Sequence, residues 1–352
     1  MQKVELLECT LRDGSYVVDF QFSVQETAEL SAGLQQAGFR RIEVGHGLGL
    51  SASTMGHGRA AATDTEYLEA ARKAAADSLI GMFFIPGIGN RNDIAEAKKR
   101  GLDFIRIGTN VSEADTAEEY VKFAKDVGLE VSFNFMKSYS KSPEEFVKIA
   151  EKAKQWGADV LTVVDSAGGM LPNEVTAYVN LVSERTGAKV GFHGHNNLDL
   201  AVANNIAALE AGASVVDCSL QGIGRSAGNA QTETMVLVLE KMGVDTGIDA
   251  FLTMDLGEKY IKPKMHEYHG KTPIDVTSGY ALFHSSFLHE ILRAVEEFDV
   301  DPRELIIEVS DREKENPRPA LIWEVARKIA ERERKVKRVR YPRAIPPQDT
   351  AT

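Results

Sequence analysis

Two histidines separated by one residue, in the motif His193-Gly194-His195, stand at the end of an apolar run typical of a buried strand. An extended strand points residues two apart to the same face, so His193 and His195 can present two imidazoles side by side. A second strand-like run, Val4–Leu11, is followed by Arg12-Asp13-Gly14 and offers a carboxylate. Two neutral histidines and one carboxylate suit a divalent ion that keeps open positions for substrate. An isolated His-x-His also fits an ordinary surface or core pair, so the fold has to decide.

Eight apolar runs alternate with helical patterns over the first two thirds of the chain, and this alternation predicts an α/β fold, a (β/α)8 TIM barrel. The runs are Val4–Leu11, Arg41–Val44, Leu79–Ile85, Phe104–Ile107, Val131–Phe135, Val160–Val164, Lys189–Phe192 and Val215–Leu220. An open doubly wound sheet is the alternative, but no GxGxxG motif opens a first strand–helix turn. Active sites of such barrels lie at the C-terminal ends of the strands. Asp13 and the two histidines therefore meet at one mouth, which favours the metal hypothesis.

Helix boundaries are marked by capping residues. Ser23 with Glu26, and Ser142 with Glu145, predict capping boxes at two helix starts. Glycine commonly follows the last residue of a helix because it adopts the left-handed conformation without strain. The glycines in this position are Gly38, Gly101, Gly128, Gly157, Gly187 and Gly212.

The last third of the chain reads as helices alone. We predict a catalytic barrel domain at 1–245, a helical C-terminal domain at 246–340 and a flexible tail at 341–352. The predicted C-terminal helices are Phe251–Lys262, Gly279–Phe298, Pro302–Glu308 and Pro319–Arg340. This extension could complete the site, build an oligomer or contact a partner.

Composition excludes several classes of function. The chain has 41 Lys and Arg against 52 Asp and Glu, a net charge of −11, which argues against binding to nucleic acid. No apolar stretch approaches the roughly 20 residues that span a bilayer. The N-terminus has no signal-peptide pattern, and 2 cysteines are too few for a disulfide framework. We expect a soluble cytoplasmic protein with neither a membrane nor a nucleic-acid partner.

The residues around the predicted metal suggest a reaction class. An ion held by Asp13, His193 and His195 could bind a 2-oxo acid through a carboxylate oxygen and the keto oxygen. Arg12 stands next to a ligand, and its planar guanidinium suits an enolate oxygen on which charge develops. A structural ion pair is the alternative role for Arg12. Polarisation of the keto group points to cleavage or formation of a C–C bond through an enolate. The glycine-rich segment Gly222–Ala230 is equally consistent with a ligand-binding loop and a tight turn.

Three separated motifs together resemble the DRE-TIM metallolyase superfamily: Cys9–Gly14, His193–Asn197 and Gly222–Asn229. Further segments resemble its 4-hydroxy-2-oxovalerate aldolase branch, and the resemblance covers residues 4 to 330. These segments are Glu43–Gly49, Leu50–Arg59, Ile85–Gly89, Asp165–Gly168, Asn196–Leu198, Gly279–Ala281 and Ser285–Phe287. The resemblance implies a lyase that cleaves 4-hydroxy-2-oxo acids to pyruvate and an aldehyde, or runs this aldol reaction in reverse. It also implies a homo-oligomer and an acylating aldehyde dehydrogenase as partner.

The resemblance assigns roles to individual residues. Arg12 would stabilise the enolate, and Ser166 would contact the pyruvyl group. Asp13, His193 and His195 would bind Mn²⁺, with Mg²⁺ or Co²⁺ as alternatives. Asn229 stands where some relatives add a metal ligand or a residue that contacts one.

The sequence departs from the aldolase branch at the predicted base. A histidine follows Arg-Asp-Gly-Ser in that branch, where this chain has Tyr16, and a tyrosine precedes Ser-Ser-Phe, where it has His284. Tyrosine is a poor base at neutral pH, whereas the ordinary pKa of histidine is near 6.5. We therefore predict that His284 accepts the proton and binds substrate, with Tyr16 as its hydrogen-bonding partner. Loss of the base, in a relative with another activity, is the alternative.

Two other functions remain open at this point. A Claisen-type synthase that joins acetyl-CoA to a 2-oxo acid would use a similar glycine-rich loop, but such relatives follow Arg-Asp-Gly with Glu, and this chain has Ser15. A non-catalytic barrel that binds a partner through its helical extension is the third hypothesis. The retained metal-ligand pattern argues against it.

Overall fold

Eight parallel strands close into one barrel, in which strands pair in chain order and β1 pairs with β8. The computed structural model describes residues 4–265 and 272–335. The strands are β1 Glu5–Glu8, β2 Arg41–Glu43, β3 Leu79–Phe84, β4 Phe104–Asn110, β5 Glu130–Met136, β6 Val160–Asp165, β7 Lys189–Gly194 and β8 Val215–Cys218. All eight lie within or overlap the predicted apolar runs, so the predicted TIM barrel is confirmed.

A helix follows each strand and packs outside the barrel. These helices are α1 Val24–Gln36, α2 Asp64–Ala74, α3 Arg91–Lys99, α4 Glu118–Asp126, α5 Pro143–Trp156, α6 Pro172–Thr186, α7 Ala201–Glu210 and α8 Thr232–Lys241. Both predicted capping boxes form, at Ser23 before α1 and at Ser142 before α5. All six glycines predicted at helix ends have positive φ, for example 107° at Gly157, where a side chain would be strained.

In the described part of the chain, every element after the barrel is helical, as predicted. They are α9 Ala250–Leu256, α10 Pro273–Ala281, α11 Leu288–Phe298, α12 Pro302–Ser310 and α13 Pro319–Lys335. Ala250 and Leu256 of α9 belong to the core of the barrel. The helices α10–α13 bury a second hydrophobic cluster of their own, which includes Ile291, Leu305 and Ile322. The helices α10–α13 therefore have a small core that is separate from the large core of the barrel.

The single helix predicted over Gly279–Phe298 is wrong. The chain leaves the helical conformation at Leu282, where φ is 56°, and Phe283 N–H closes the turn on the Ser278 carbonyl at 2.8 Å. A short 3-10 turn, Ser285–Phe287, precedes α11, and His284 caps this turn. The helical spacing of apolar residues continues through the break, and no Gly or Pro marks it. The sequence pattern therefore does not predict the break. The break turns His284 out of the helix.

The C-terminal helices lie against the mouth of the barrel. Asn197, after β7, donates to the Asp275 carbonyl at 3.0 Å. Lys137, after β5, donates to the backbone carbonyl of Glu315 in the loop before α13. The predicted tail at 341–352 and the predicted helix end at Arg340 lie outside the described residues. Across residues 4–265 and 272–335, no helix is both long enough and apolar enough to cross a membrane.

Candidate active site at the barrel mouth

Asp13, His193 and His195 meet at the C-terminal end of the barrel. Asp13 begins the 3-10 turn after β1, His193 lies in β7, and His195 follows its last residue. One ligand atom from each residue lies within 4.8 Å of the other two, and all three side chains are buried. The two imidazole centroids are 5.0 Å apart. The residues that the sequence singled out as metal ligands are thus brought together.

Among residues 4–265 and 272–335, the hydrogen bonds of the two imidazoles involve Nδ1 of each ring and leave Nε2 without a partner. His193 Nδ1 donates to Asp217 Oδ2 at 2.8 Å, and His195 Nδ1 donates to the Gly228 carbonyl at 3.2 Å. These acceptors hold the proton on Nδ1 and leave the lone pair on Nε2, the arrangement typical of metal-binding histidines. Burial lowers the pKa of His195 to about 4, so this ring is neutral near pH 7. The donor set fits a divalent ion.

The carboxylate of Asp13 is held on both oxygens. Oδ1 accepts from Arg12 Nη1 at 2.6 Å, and Oδ2 accepts from Asn229 Nδ2 at 2.8 Å and from Arg225 N–H at 3.2 Å. Burial alone would raise the pKa of Asp13, but the adjacent Arg12 charge holds it well below its usual range. The group is therefore an anion at every pH of interest.

The glycine-rich loop after β8 packs around this carboxylate. A Cβ on Gly224 would lie 2.6 Å from Asp13 Oδ2 and 2.2 Å from Asn229 Nδ2. Asn229 Oδ1 is buried and has no hydrogen-bond partner among the described residues. The amide group of Asn229 thus orients Asp13, and its oxygen is the atom left for a further contact.

A buried chain of charges joins Arg12 to His193 and was missed by the sequence analysis. Arg12 Nε and Arg106 Nη1 each donate to Glu43 Oε2 at 2.8 Å. Arg106 also pairs with Asp217, which accepts the Nδ1 proton of His193. Arg106 is 1 % exposed and Glu43 is fully buried. The available signal was a charged residue at an inward position of an otherwise apolar strand.

Ser166 and Tyr16 line the same mouth. Ser166, after β6, is buried, and its hydroxyl accepts the Lys137 N–H at 2.9 Å. Tyr16 packs beneath the Arg225 guanidinium, which lies 5.2 Å from its ring centroid. Burial raises the pKa of Tyr16 above 10, so the phenol stays protonated. Tyr16 is suited to donate a hydrogen bond.

His284 reaches the mouth from the C-terminal region and is 8 % exposed. Burial, and then the charges of Arg225, Lys137 and His195, hold its pKa well below the usual 6.5. Its Nδ1 accepts the Ser286 N–H at 3.2 Å and lies 2.7 Å from Ser286 Oγ. The neutral ring therefore carries its proton on Nε2.

Comparison with known proteins relates this site to one family. The family model described as HMGL-like matches residues 3–259. A 4-hydroxy-2-oxovalerate aldolase of Carboxydothermus hydrogenoformans is 40% identical over 329 residues, which are 94% of this chain and 98% of that protein. A protein of the same name from Moorella thermoacetica is 39% identical over 331 residues, 94% of this chain and 98% of its own.

Solved structures support the same fold at greater distance. The carboxyl transferase domain of Rhizobium etli pyruvate carboxylase superposes with a TM-score of 0.77 at 15% identity. The match covers 94% of this chain and 61% of that one. At this identity the likeness concerns the fold alone.

Proposed function

The chain belongs to the HMGL-like family of DRE-TIM metallolyases, and we propose from this that it is a divalent-metal-dependent aldolase. It would cleave 4-hydroxy-2-oxo acids to pyruvate and an aldehyde, or form them from these two compounds. The observation that carries the proposal is the buried group Asp13, His193 and His195 with Arg12 directly beside it. The curated relatives are named as aldolases and not as Claisen-type synthases, which favours aldol chemistry.

Asp13, His193 and His195 would hold the ion, which we propose to be Mn²⁺, with Mg²⁺ or Co²⁺ as substitutes. When bound, the ion would polarise the keto group of a 2-oxo acid and stabilise negative charge on its oxygen. Asn229 would keep Asp13 in position through its amide group. Ser166, beside the site, would contact the pyruvyl group.

Arg12 would stabilise the enolate. Its Nε and Nη1 are engaged by Glu43 and Asp13, and its Nη2 has no hydrogen-bond partner among the described residues. Arg12 Nη2 is therefore a donor in a fixed position that can bond the substrate oxygen. A donor held in place before the reaction needs no reorganisation as charge develops.

The bond changes of cleavage are as follows. The 4-hydroxyl group loses its proton to a base, and the C3–C4 electron pair remains on C3 as the bond breaks. C4 becomes the aldehyde carbon, and the three-carbon enolate takes up a proton at C3 to give pyruvate. No oxidant or reductant is required.

His284 is our proposed proton acceptor, with Tyr16 as a hydrogen-bond donor. Its neutral ring and low pKa make it available as a base near pH 7, whereas the pKa of Tyr16 is raised. Because Nδ1 is the unprotonated ring nitrogen and lies 2.7 Å from Ser286 Oγ, we propose that the proton passes through the Ser286 hydroxyl.

Replacement of His284 by Asn tests this role. The Asn Oδ1 can still accept the Ser286 N–H, so the turn is kept while the base is lost. We expect kcat for cleavage to fall about 10²–10⁴-fold, and Tyr16→Phe to cost far less. The acid limb of kcat/KM in the wild type should lie below pH 6.5, because the ring is protonated only below its depressed pKa. This limb should disappear in His284→Asn.

The outcome for Ser286→Ala separates two routes. Loss of activity similar to that of His284→Asn supports transfer through the hydroxyl group. Near-normal activity would mean that the proton does not pass through Ser286. Nearly intact cleavage in His284→Asn would exclude His284 as the base.

The proposed function itself is tested by pyruvate release from 4-hydroxy-2-oxovalerate. We expect release with Mn²⁺, none after treatment with EDTA, and recovery when Mn²⁺ is returned. Thiol release from acetyl-CoA with 2-oxo acids, in the absence of cleavage, would contradict the aldolase and support a synthase. A cytoplasmic location, a homo-oligomer and an acylating aldehyde dehydrogenase partner are further proposals, to be tested on the intact protein.

A further inference from the structure

Arg225 places a cation at the mouth of the barrel that the proposed reaction does not use. Its backbone N–H contacts Asp13, and its guanidinium lies over the Tyr16 ring. Its Nε donates to Ser285 Oγ at 3.1 Å. Within residues 4–265 and 272–335, no carboxylate forms an ion pair with this side chain. Arg225 therefore lies at the mouth of the barrel without a paired carboxylate among the described residues.

Lys137 supplies a second cation on the same side. Its side chain is buried, its Nζ donates to the backbone carbonyl of Glu315, and it lies 4.9 Å from the Phe287 ring centroid. The carboxylate of Glu315 is turned away and bonds Ser112. In the described part of the chain, Lys137 also has no ion-pair partner. Burial lowers the pKa of Lys137 to about 8, so it is mostly charged near pH 7.

Both cations contact the segment that follows His284, the proposed base on the aldehyde side: Arg225 donates to Ser285, and Lys137 lies 4.9 Å from the Phe287 ring centroid. The charges of Arg225 and Lys137 contribute, after burial, to the low pKa of His284. Asp13, His193 and His195, which follow or end β1 and β7, would bind the 2-oxo acid group. A distal anion on the substrate would therefore meet Arg225 and Lys137 rather than the metal.

We infer that Arg225 and Lys137 bind a carboxylate on the aldehyde half of the substrate. The substrates would then be 4-hydroxy-2-oxo diacids, and the aldehyde product would carry a carboxylate. This inference rests on the proposed aldolase function. An arriving carboxylate would supply the counter-ion that neither cation has among the described residues, and the guanidinium group can bind both of its oxygens.

Aldehyde selectivity provides the first test. In the addition direction, succinic semialdehyde and butanal have the same chain length and differ in the terminal carboxylate. We expect the wild type to favour succinic semialdehyde in kcat/KM by about 10–100-fold, and Arg225→Met to remove most of this preference. Adding Lys137→Met to this variant should reduce the preference for succinic semialdehyde further. Arg91→Met removes a charge from the outer face of α3 and should leave the preference unchanged.

Ligand binding provides a test that does not depend on turnover. We would measure Kd by calorimetry for 2-oxoadipate and 2-oxohexanoate on the Mn²⁺-loaded protein, since these differ in the distal carboxylate alone. Tighter binding of 2-oxoadipate by about 10-fold or more, lost in Arg225→Met, supports the inference. Partial retention in Arg225→Lys would support a charge-based role, and it replaces the Met variant if that variant does not fold.

Failure of this inference and failure of the proposed aldolase function give different results. Absence of aldol turnover with every aldehyde would overturn the proposed function, while the binding ratio would still test Arg225. Equal Kd values for the two acids in the wild type would overturn the inference. Equal weakening of both acids by Arg225→Met would also overturn it, because Arg225 would then contact the shared 2-oxo acid group.

Discussion

Replacement of Asp13 by Asn is expected to weaken Mn²⁺ binding on the order of 100-fold or more and to leave no measurable aldol cleavage. Asp13 is the anionic member of the three-residue group. It also accepts hydrogen bonds on both oxygens, from Arg12 on one side and Asn229 on the other. An Asn side chain can satisfy one of these donors through its oxygen, and its own NH₂ would face the other. The substitution therefore removes both the negative charge at position 13 and the fixed orientation of that side chain.

Calorimetric titration with Mn²⁺ measures the first effect, and pyruvate release measures the second. Circular dichroism establishes that the variant is folded. Asp115→Asn is a matched control, because Asp115 is an exposed carboxylate paired with Lys152. This control should bind Mn²⁺ as the wild type does. Undiminished Mn²⁺ binding in Asp13→Asn would place the metal elsewhere.

Replacement of Arg12 by Lys is expected to lower kcat for cleavage about 10²–10³-fold, with little change in Mn²⁺ affinity. Lysine keeps the positive charge near Glu43 and Asp13. It cannot bond both carboxylates and also present a fixed donor to the substrate, as the guanidinium of Arg12 does. The loss should therefore fall on the transition state and appear in kcat.

The alternative role of Arg12, a structural ion pair, makes a different prediction. In that case Arg12→Lys would lower the melting temperature and leave kcat nearly unchanged. Arg41→Lys is the matched control, because Arg41 is also buried and paired with two carboxylates, Glu5 and Glu130, but lies at the start of β2. It should lose stability without loss of kcat. Equal kcat in both variants would exclude Arg12 from catalysis.

Local patterns in the sequence were sufficient to predict the fold and the grouping of the three proposed metal ligands. Apolar runs and helix caps report burial and hydrogen bonding within a few residues, so the strands and the capping boxes at Ser23 and Ser142 could be predicted. The spacing of His193 and His195 placed two rings on one strand face. Barrel closure then required Asp13 to lie at the same mouth.

The C-terminal helices include a feature that such local patterns do not predict. The break at Leu282 depends on a positive φ and on packing against the barrel. Neither feature changes the spacing of apolar residues, so the sequence pattern does not predict it. Without the break, His284 would belong to a continuous helix. Its position near Arg225 and Lys137, which contact Ser285 and Phe287, depends on the tertiary structure of the barrel mouth.

The sequence alone determined the barrel, the order of its strands and the three residues that can hold a metal, because these follow from local periodicity and from the known geometry of barrel closure. The tertiary structure decided which partners orient those residues. Asn229 bonds Asp13 across 216 positions of the chain, and Arg106 joins Asp217 across 111. A buried polar group bonds the residue that closure of the barrel brings within about 3 Å. The residue type at one position does not identify that partner, because the partner is distant in the sequence.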